Sequence, residues 1–249
     1  MKKVLVCVLW YLLFVTNVCA QVKLSPLFSD NMVLQQKTEA PVWGMSKPNK
    51  KIEIITSWDQ KTYTIQADAQ GKWNIKVTTP AAGGPYEITI SDGKKVKLSN
   101  VMIGEVWICS GQSNMELPVS RVTDMFRDEI SAYENTNIRQ LKVPNIFNFH
   151  APQTDLPDYV AWKPLTQENV MNFSALGYFF AKAMYEKNNI PVGLINSSWG
   201  GTPVEAWISE EGLKEFPKYI NDKRQYEDDA YLKSIKQTEG LSFYRWNTS

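Results

Sequence analysis

The chain has 249 residues, with 27 Lys and Arg against 26 Asp and Glu, one histidine and a formal net charge of +1. Near-neutral charge without a basic stripe argues against a nucleic-acid partner. The length suffices for two modest domains.

Residues 1–20 read as a secretory signal peptide. Lys2 and Lys3 precede an apolar run from Val4 to Val15, and small residues lead to Ala20, the expected cleavage point. The run falls short of the roughly 20 apolar residues that a spanning helix needs. The expectation is therefore export, to the periplasm or beyond, with no integral membrane span. Cys19 raises a lipoprotein anchor, but Val18 before it is bulkier than such sites usually take. Cleavage removes Lys2 and Lys3, so Lys and Arg fall from 27 to 25 against 26 acids. Cys7 and Cys19 leave as well. Cys109 then stands alone, with no disulfide partner and no zinc-ligand spacing, and reads as a small buried core residue.

Residues 21–102 read as a β-sandwich-like domain. The runs KIEIITSW, KTYTIQA, KWNIKVTT and YEITISDGKKVKLSNV alternate apolar and polar residues. Tyr63 and Ile65 share a face, as do Trp73, Ile75 and Val77, and Tyr86, Ile88 and Ile90. Turns are expected at Trp58-Asp59-Gln60, Gln70-Gly71, Gly83-Gly84-Pro85 and Asp92-Gly93, the last being a hairpin signal.

The period then changes. GEVWICS, from Gly104, reads as a buried strand. SALGYFFAKAMYEKNN reads as a helix capped by Ser174 and stopped near Asn188, Asn189 and Pro191. Leu176, Phe179, Phe180, Ala183 and Met184 form its expected apolar face. PVGLINSSWGG reads as a strand running into a glycine loop, and Glu210 to Gln237 as charged surface helix. Strand, helix and strand suggest a parallel α/β layer.

Two strand ends carry the chemistry. The first strand runs into Ser110-Gly111-Gln112-Ser113-Asn114. In open α/β sheets ligands sit beyond the carboxyl ends of strands. A serine there, opening a helix, has free backbone N–H groups and a helix dipole beside it. Ser113 is thus a candidate nucleophile, although a serine capping a helix is common. Met115 stands where G-x-S-x-G requires glycine, which disfavours an α/β-hydrolase elbow. At the second end, Gly200-Gly201-Thr202 can bring a backbone N–H to an acyl oxygen, or can be a plain turn. It lacks nucleotide-loop spacing. Trp199 and Trp207 suit stacking on sugar rings, and Trp is equally ordinary core material.

Together GEVWICSGQSNMELPV, FSALGYFFAKAM and GLINSSWGGTPVEAWIS resemble the sialate O-acetylesterase family of SGNH-type (GDSL-like) serine esterases. LSPLFSDNMVLQQ and APVWG resemble the β domain that precedes the catalytic domain in that family. The resemblance implies an SGNH-type three-layer α/β domain over 103–249. It implies Ser113 as the nucleophile removing acetyl groups from sialic acid or a related sugar through an acyl-enzyme. It implies oxyanion donors at Ser113 N–H and Gly201 N–H, with the helix start at Ser174 a further candidate. Gln112, Asn114 and Trp199 are candidate substrate contacts. No metal or cofactor is required.

The family carries an Asp-x-x-His pair near the end of a longer chain, and no such pair occurs here. The expectation is an esterase domain cut short, weak alone, with an open sheet edge and an uncovered apolar face. His150, with Asp155 and Asp158 nearby, lies between the family blocks and reads as a loop residue. Two rivals remain: a glycoside hydrolase using two of Glu105, Glu116 and Glu205, and a non-catalytic carbohydrate-binding protein.

Overall fold

The structure is a computed structural model that describes residues 22–248, with side chains described to residue 238. The signal-peptide reading of residues 1–20 lies outside the described residues. Eleven strands occur in the order β1 (Lys23–Leu24), β2 (Val33–Gln35), β3 (Glu39–Met45), β4 (Lys51–Thr56), β5 (Thr62–Gln66), β6 (Lys72–Thr78), β7 (Gly83–Ser91), β8 (Lys95–Gly111), β9 (Asn135–Lys142), β10 (Lys163–Leu165) and β11 (Val192–Ser198). The helices are α1 (Ser113–Glu116), α2 (Thr123–Ala132), α3 (Ala175–Asn188), α4 (Glu210–Leu213), α5 (Pro217–Tyr226) and α6 (Asp229–Thr248). None is long and apolar enough to cross a membrane.

The alternating N-terminal runs form two sheets. One is β1-β3-β6; the other is eight-stranded, ordered β10-β9-β11-β8-β7-β4-β5, with β2 also on β8. Val42, Trp73 and Val77 of the small sheet share one buried cluster with Ile52, Ile54, Ile88 and Ile90 of the large one. Asp92-Gly93 makes the expected hairpin between β7 and β8, with Gly93 at φ 113°. Gly83-Gly84-Pro85 is not a turn. It opens β7, and the register slips between Gly83 and Tyr86.

β8 carries the large sheet across its middle. Its first part pairs antiparallel with β7 as far as Ile103. Its last part, from Glu105 to Gly111, pairs parallel with β11, which in turn lies parallel to β9. The exchange of partners happens at Gly104, where a Cβ would lie 2.0 Å from the Pro191 carbonyl oxygen. Only a residue without a side chain lets the incoming strand approach this closely. A second tie crosses the same region. Arg139 of β9 is buried and donates to the backbone carbonyls of Thr136, Met32 and Asn100 and to Asn100 Oδ1. Burial lowers its pKa to about 10, so the guanidinium stays charged at neutral pH.

Helix α3 forms where its cap predicts. Ser174 Oγ accepts from Gly177 N–H at 3.1 Å, and Asn189 stops the helix in the left-handed region. Its buried face is the expected one only in part: Phe179 and Met184 pack half-buried against the core. Ala175, Gly177, Tyr178 and Ala181 are buried, whereas Leu176 is 53% exposed and Ala183 is exposed. Small residues let the helix settle closely on β11, and Gly177 lies against Leu194. Phe180 turns outward and meets Trp107 of β8 edge-on, at 5.2 Å between centroids. β8 itself departs from the expected buried strand. Cys109 is buried, and burial pushes its thiol pKa up, but Trp107 is 42% and Ile108 73% exposed. Among the described residues, β11 is the only strand paired with Trp107–Gly111.

Two predictions follow from this packing. Gly104→Ala sets a Cβ against backbone that cannot rotate away, and is expected to cost about 3 kcal/mol, the upper range for overpacking. Leu194 is fully buried, so Leu194→Ala is expected to cost about 2–5 kcal/mol. Ile108→Ala, one strand away, is expected to cost under about 1 kcal/mol because that side chain is already in water. Urea unfolding midpoints of the three variants check both statements.

Candidate active site

The ends of β8 and β11 lie side by side, Ser110 opposite Ser197 and Gly111 opposite Ser198. Trp199 N–H extends the contact by donating to Gly111 O at 2.9 Å. Gly111, at φ 136°, turns the chain into α1, and Gln112, Ser113 and Asn114 are all exposed there. Pro118 forces Leu117 out of the helical region, to φ -48° and ψ 116°, so α1 ends after one turn. The expected dipole of a full helix behind Ser113 is therefore lacking, because few peptide units align. The first-turn backbone N–H groups remain. Ser113 Oγ is 3.4 Å from Gln112 Oε1, its one hydrogen-bond partner among the described residues.

The glycine loop after β11 closes on this turn. A Cβ at Gly200 would lie 3.6 Å from Ser113 Cα and 2.6 Å from Glu116 Oε2. Gly201, at φ 78°, has open space around it, and its N–H has no acceptor among the described residues. Trp199 packs its ring on Phe147, centroids 4.5 Å apart. Trp207 Nε1 donates to Thr202 Oγ1, which donates to Trp199 O. The structure thus brings together Gln112, Ser113, Asn114, Trp199 and Gly201.

It places the other candidates elsewhere. Ser174 is buried; its hydroxyl caps α3 and its N–H donates to Gln140 Oε1 at 3.0 Å, so neither is free for a ligand. His150 Nε2 pairs with Asp229 Oδ1 at 3.2 Å. His150 and Glu205 line a cleft with Pro203 and Tyr226, and Ser113 is not among its lining residues. Asp155 instead accepts from Ser25 and Asp158 pairs with Lys23. Glu105 accepts from Gln35 and Gln36 at the far end of the parallel segment. Six residues at about 3.3 Å each put Glu105 roughly 20 Å from Gly111. Paired glycosidase carboxylates stand about 5–10 Å apart, so Glu105 and Glu116 do not form such a pair.

Glu116 belongs to a network that single motifs do not announce. Its Oε2 accepts from Gly200 N–H and its Oε1 from Asn145 Nδ2 at 2.9 Å, with Lys142 Nζ at 4.0 Å. Lys142 also donates to Ser198 O and Oγ, and Ser198 Oγ donates to Asn196 Oδ1. Burial pushes the Glu116 carboxyl up. The bonds from Asn145 and Gly200 and the charge of Lys142 outweigh this and hold it below the usual carboxylate value. Lys142 is lowered by burial, with Glu116 opposing. The only sequence signal was an acid three residues after the serine.

The mixed α/β fold, with polar side chains and a glycine loop gathered at the carboxyl ends of parallel strands, is similar to that of a solved carbohydrate acetylesterase. The crystal structure of a carbohydrate acetylesterase from Xanthomonas citri matches with a TM-score of 0.73 and 37% identity, over 78% of this chain and 44% of that one. A sequence profile described as carbohydrate esterase, sialic acid-specific acetylesterase matches residues 103–244. The chain belongs to this sialic acid-specific acetylesterase family. The sialate O-acetylesterase of Homo sapiens is 30% identical over 206 residues, covering 75% of this chain and 38% of that protein. That of Mus musculus is 29% identical, with the same coverage. The chain thus spans well under half the length of these relatives.

The two glycines are predicted to fail differently. Gly200→Ala displaces the Glu116 carboxylate, so the amide of residue 200 is expected to exchange with solvent at least tenfold faster. Gly201→Ala meets no neighbour but is strained at positive φ, by about 1–2 kcal/mol, and is expected to leave the Gly200 amide protected. Hydrogen exchange and urea denaturation separate the two.

Proposed function

We propose that this chain carries the nucleophile of a carbohydrate O-acetylesterase acting on sialic acid or a related sugar. The observation that carries the reading is Ser113 exposed at the end of a parallel strand with the Gly200-Gly201 loop against it. Ser113 Oγ attacks the acetyl carbonyl carbon while its proton passes to a base. The oxyanion collapses, the bond to the sugar oxygen breaks, and that oxygen takes a proton. Water then cleaves acetyl-Ser113, releasing acetate and restoring the hydroxyl. Ser113 N–H and Gly201 N–H are the proposed oxyanion donors. Gln112, Asn114 and Trp199 are the proposed sugar contacts.

The proposal includes a β-sandwich-like domain over 21–102, an SGNH-type domain over 103–249, and export with cleavage after Ala20. No imidazole reaches Ser113 among the described residues, since His150 is engaged by Asp229. A serine without its base loses orders of magnitude in rate, with residual catalysis left to positioning and the oxyanion hole. A non-catalytic sugar-binding role is the second reading, favoured by that same missing contact and by the Phe147–Trp199 pair.

The 249-residue chain is expected to hydrolyse p-nitrophenyl acetate slowly, to lose that turnover in Ser113→Ala, and to keep it in His150→Ala. A fluorophosphonate probe followed by peptide mass spectrometry is expected to label Ser113 alone. Equal turnover by Ser113→Ala removes Ser113 from the mechanism. Loss of turnover in His150→Ala makes that histidine the base. No labelling favours sugar binding without catalysis.

A further inference from the structure

Among the described residues, Glu116 is the one side chain that hydrogen-bonds the turn holding Ser113 to the glycine loop, and nothing in the reaction just described uses it. It sits three residues after Ser113, at the end of α1. Its two oxygens face different segments: Oε2 takes Gly200 N–H from the loop after β11, and Oε1 takes Asn145 Nδ2 from the loop after β9. Lys142 lies 4.0 Å from Oε1 and is itself fastened to Ser198, two residues before Gly200. The three chain segments that leave the parallel strands β8, β9 and β11 therefore meet on one carboxylate. Hydrogen bonds to an ionised acceptor are shorter and stronger than neutral ones. A loop of two glycines has more conformational freedom to lose than any other, and needs such an anchor to hold one shape.

The bond also sorts the two glycine donors. Gly200 N–H is occupied by Glu116 and cannot turn to a substrate, whereas Gly201 N–H has no acceptor among the described residues. We propose that Glu116 is a positioning residue: its carboxylate clamps the Gly200-Gly201 loop to the Ser113 turn, leaving Gly201 N–H as the loop's donor to the reacting acyl oxygen. Catalysis gains only from donors already aimed where charge develops, so a loosened loop lowers the rate of the chemical step more than it weakens substrate binding. The inference rests on the esterase reading for its effect on rate, but not for the clamp itself.

The lowered carboxyl fixes how the clamp responds to acid. A carboxylate whose folded pKa lies below its unfolded value stabilises the fold above the unfolded pKa, and the contribution is lost as pH falls through the folded one. The clamp is therefore formed at neutral pH and opens at a lower pH than that at which an ordinary glutamate protonates. Glu116→Gln keeps an oxygen for Gly200 N–H but gives up the charge toward Lys142 and the acceptor for Asn145. Glu116→Ala gives up all three contacts.

The test uses the whole 249-residue chain, labelled with nitrogen-15, as wild type, Glu116→Gln and Glu116→Ala. The Gly200 amide proton is expected to titrate with a midpoint below that of an ordinary glutamate and to lose the titration in both variants. Order parameters of Gly200 and Gly201 are expected to fall from about 0.85, typical of rigid backbone, to under about 0.6 in Glu116→Ala, with recovery in Glu116→Gln. Turnover of p-nitrophenyl acetate is expected to show kcat lower by tenfold or more in Glu116→Ala, with KM changed by less than threefold, and most of kcat regained in Glu116→Gln. An untitrating Gly200 amide with unchanged loop order in Glu116→Ala overturns the clamp. A changed KM at constant kcat overturns the positioning role. Ser113→Ala, run alongside, tests the esterase reading separately: if it leaves turnover unchanged, that reading fails while the amide measurements still decide the clamp.

Discussion

The change of hydrogen-bonding partner at Gly104 is the constraint on which the rest of the molecule depends. Before it, β8 is held antiparallel by β7; after it, the same strand is held parallel by β11. The Pro191 carbonyl accepts from Glu105 N–H at 2.8 Å at the point of exchange. Everything at the candidate site hangs on the seven residues that follow. Their register with β11 sets Gly111 opposite Ser198, and that in turn fixes where Ser113 and Gly200 meet. Arg139 reinforces the junction, because its guanidinium ties β9 to the carbonyls of Met32 and Asn100, on the other side of the exchange.

Local signals carried much of this architecture. Alternation located β4 to β7, Asp92-Gly93 located the hairpin, and Ser174 located the start of α3. The serine at the strand end and the glycine loop were also visible, because both are punctuation in an apolar run. What escaped depends on neighbours. The apolar residues of α3 allow more than one face to be chosen, and the choice fell to Ala175, Tyr178 and Ala181 because β11 needed close approach. Gly83-Gly84-Pro85 has the composition of a turn, yet its place beside Ile103 keeps it in β7. Pro118 was present to read, but its effect on the length of α1 requires knowing where the helix begins. The Glu116 contact joins residues 84 apart in sequence, and no local pattern reports such a contact.

The site also shows how charge is managed on an exposed turn. Glu116 lies beside a candidate nucleophile, where an unengaged carboxylate would repel the developing oxyanion. Its two oxygens are instead turned toward Gly200, Asn145 and Lys142. Lys142 offsets its charge from behind. The backbone N–H groups at Ser113 and Gly201 have no acceptor among the described residues.

A strand of 17 residues running through both halves has a consequence for motion. Domain closure needs a hinge, a few residues at a loop or element end that absorb a change in φ and ψ. β8 offers none between its two pairings, since its backbone is tied to β7, β2 and β11 in succession. The antiparallel and parallel halves of the large sheet must therefore travel together when the molecule fluctuates. The segments near Ser113 that lie outside the ladders are residues 143–162 after β9 and 199–209 after β11. Any change of shape around Ser113 is then confined to those two segments, on a base that does not bend.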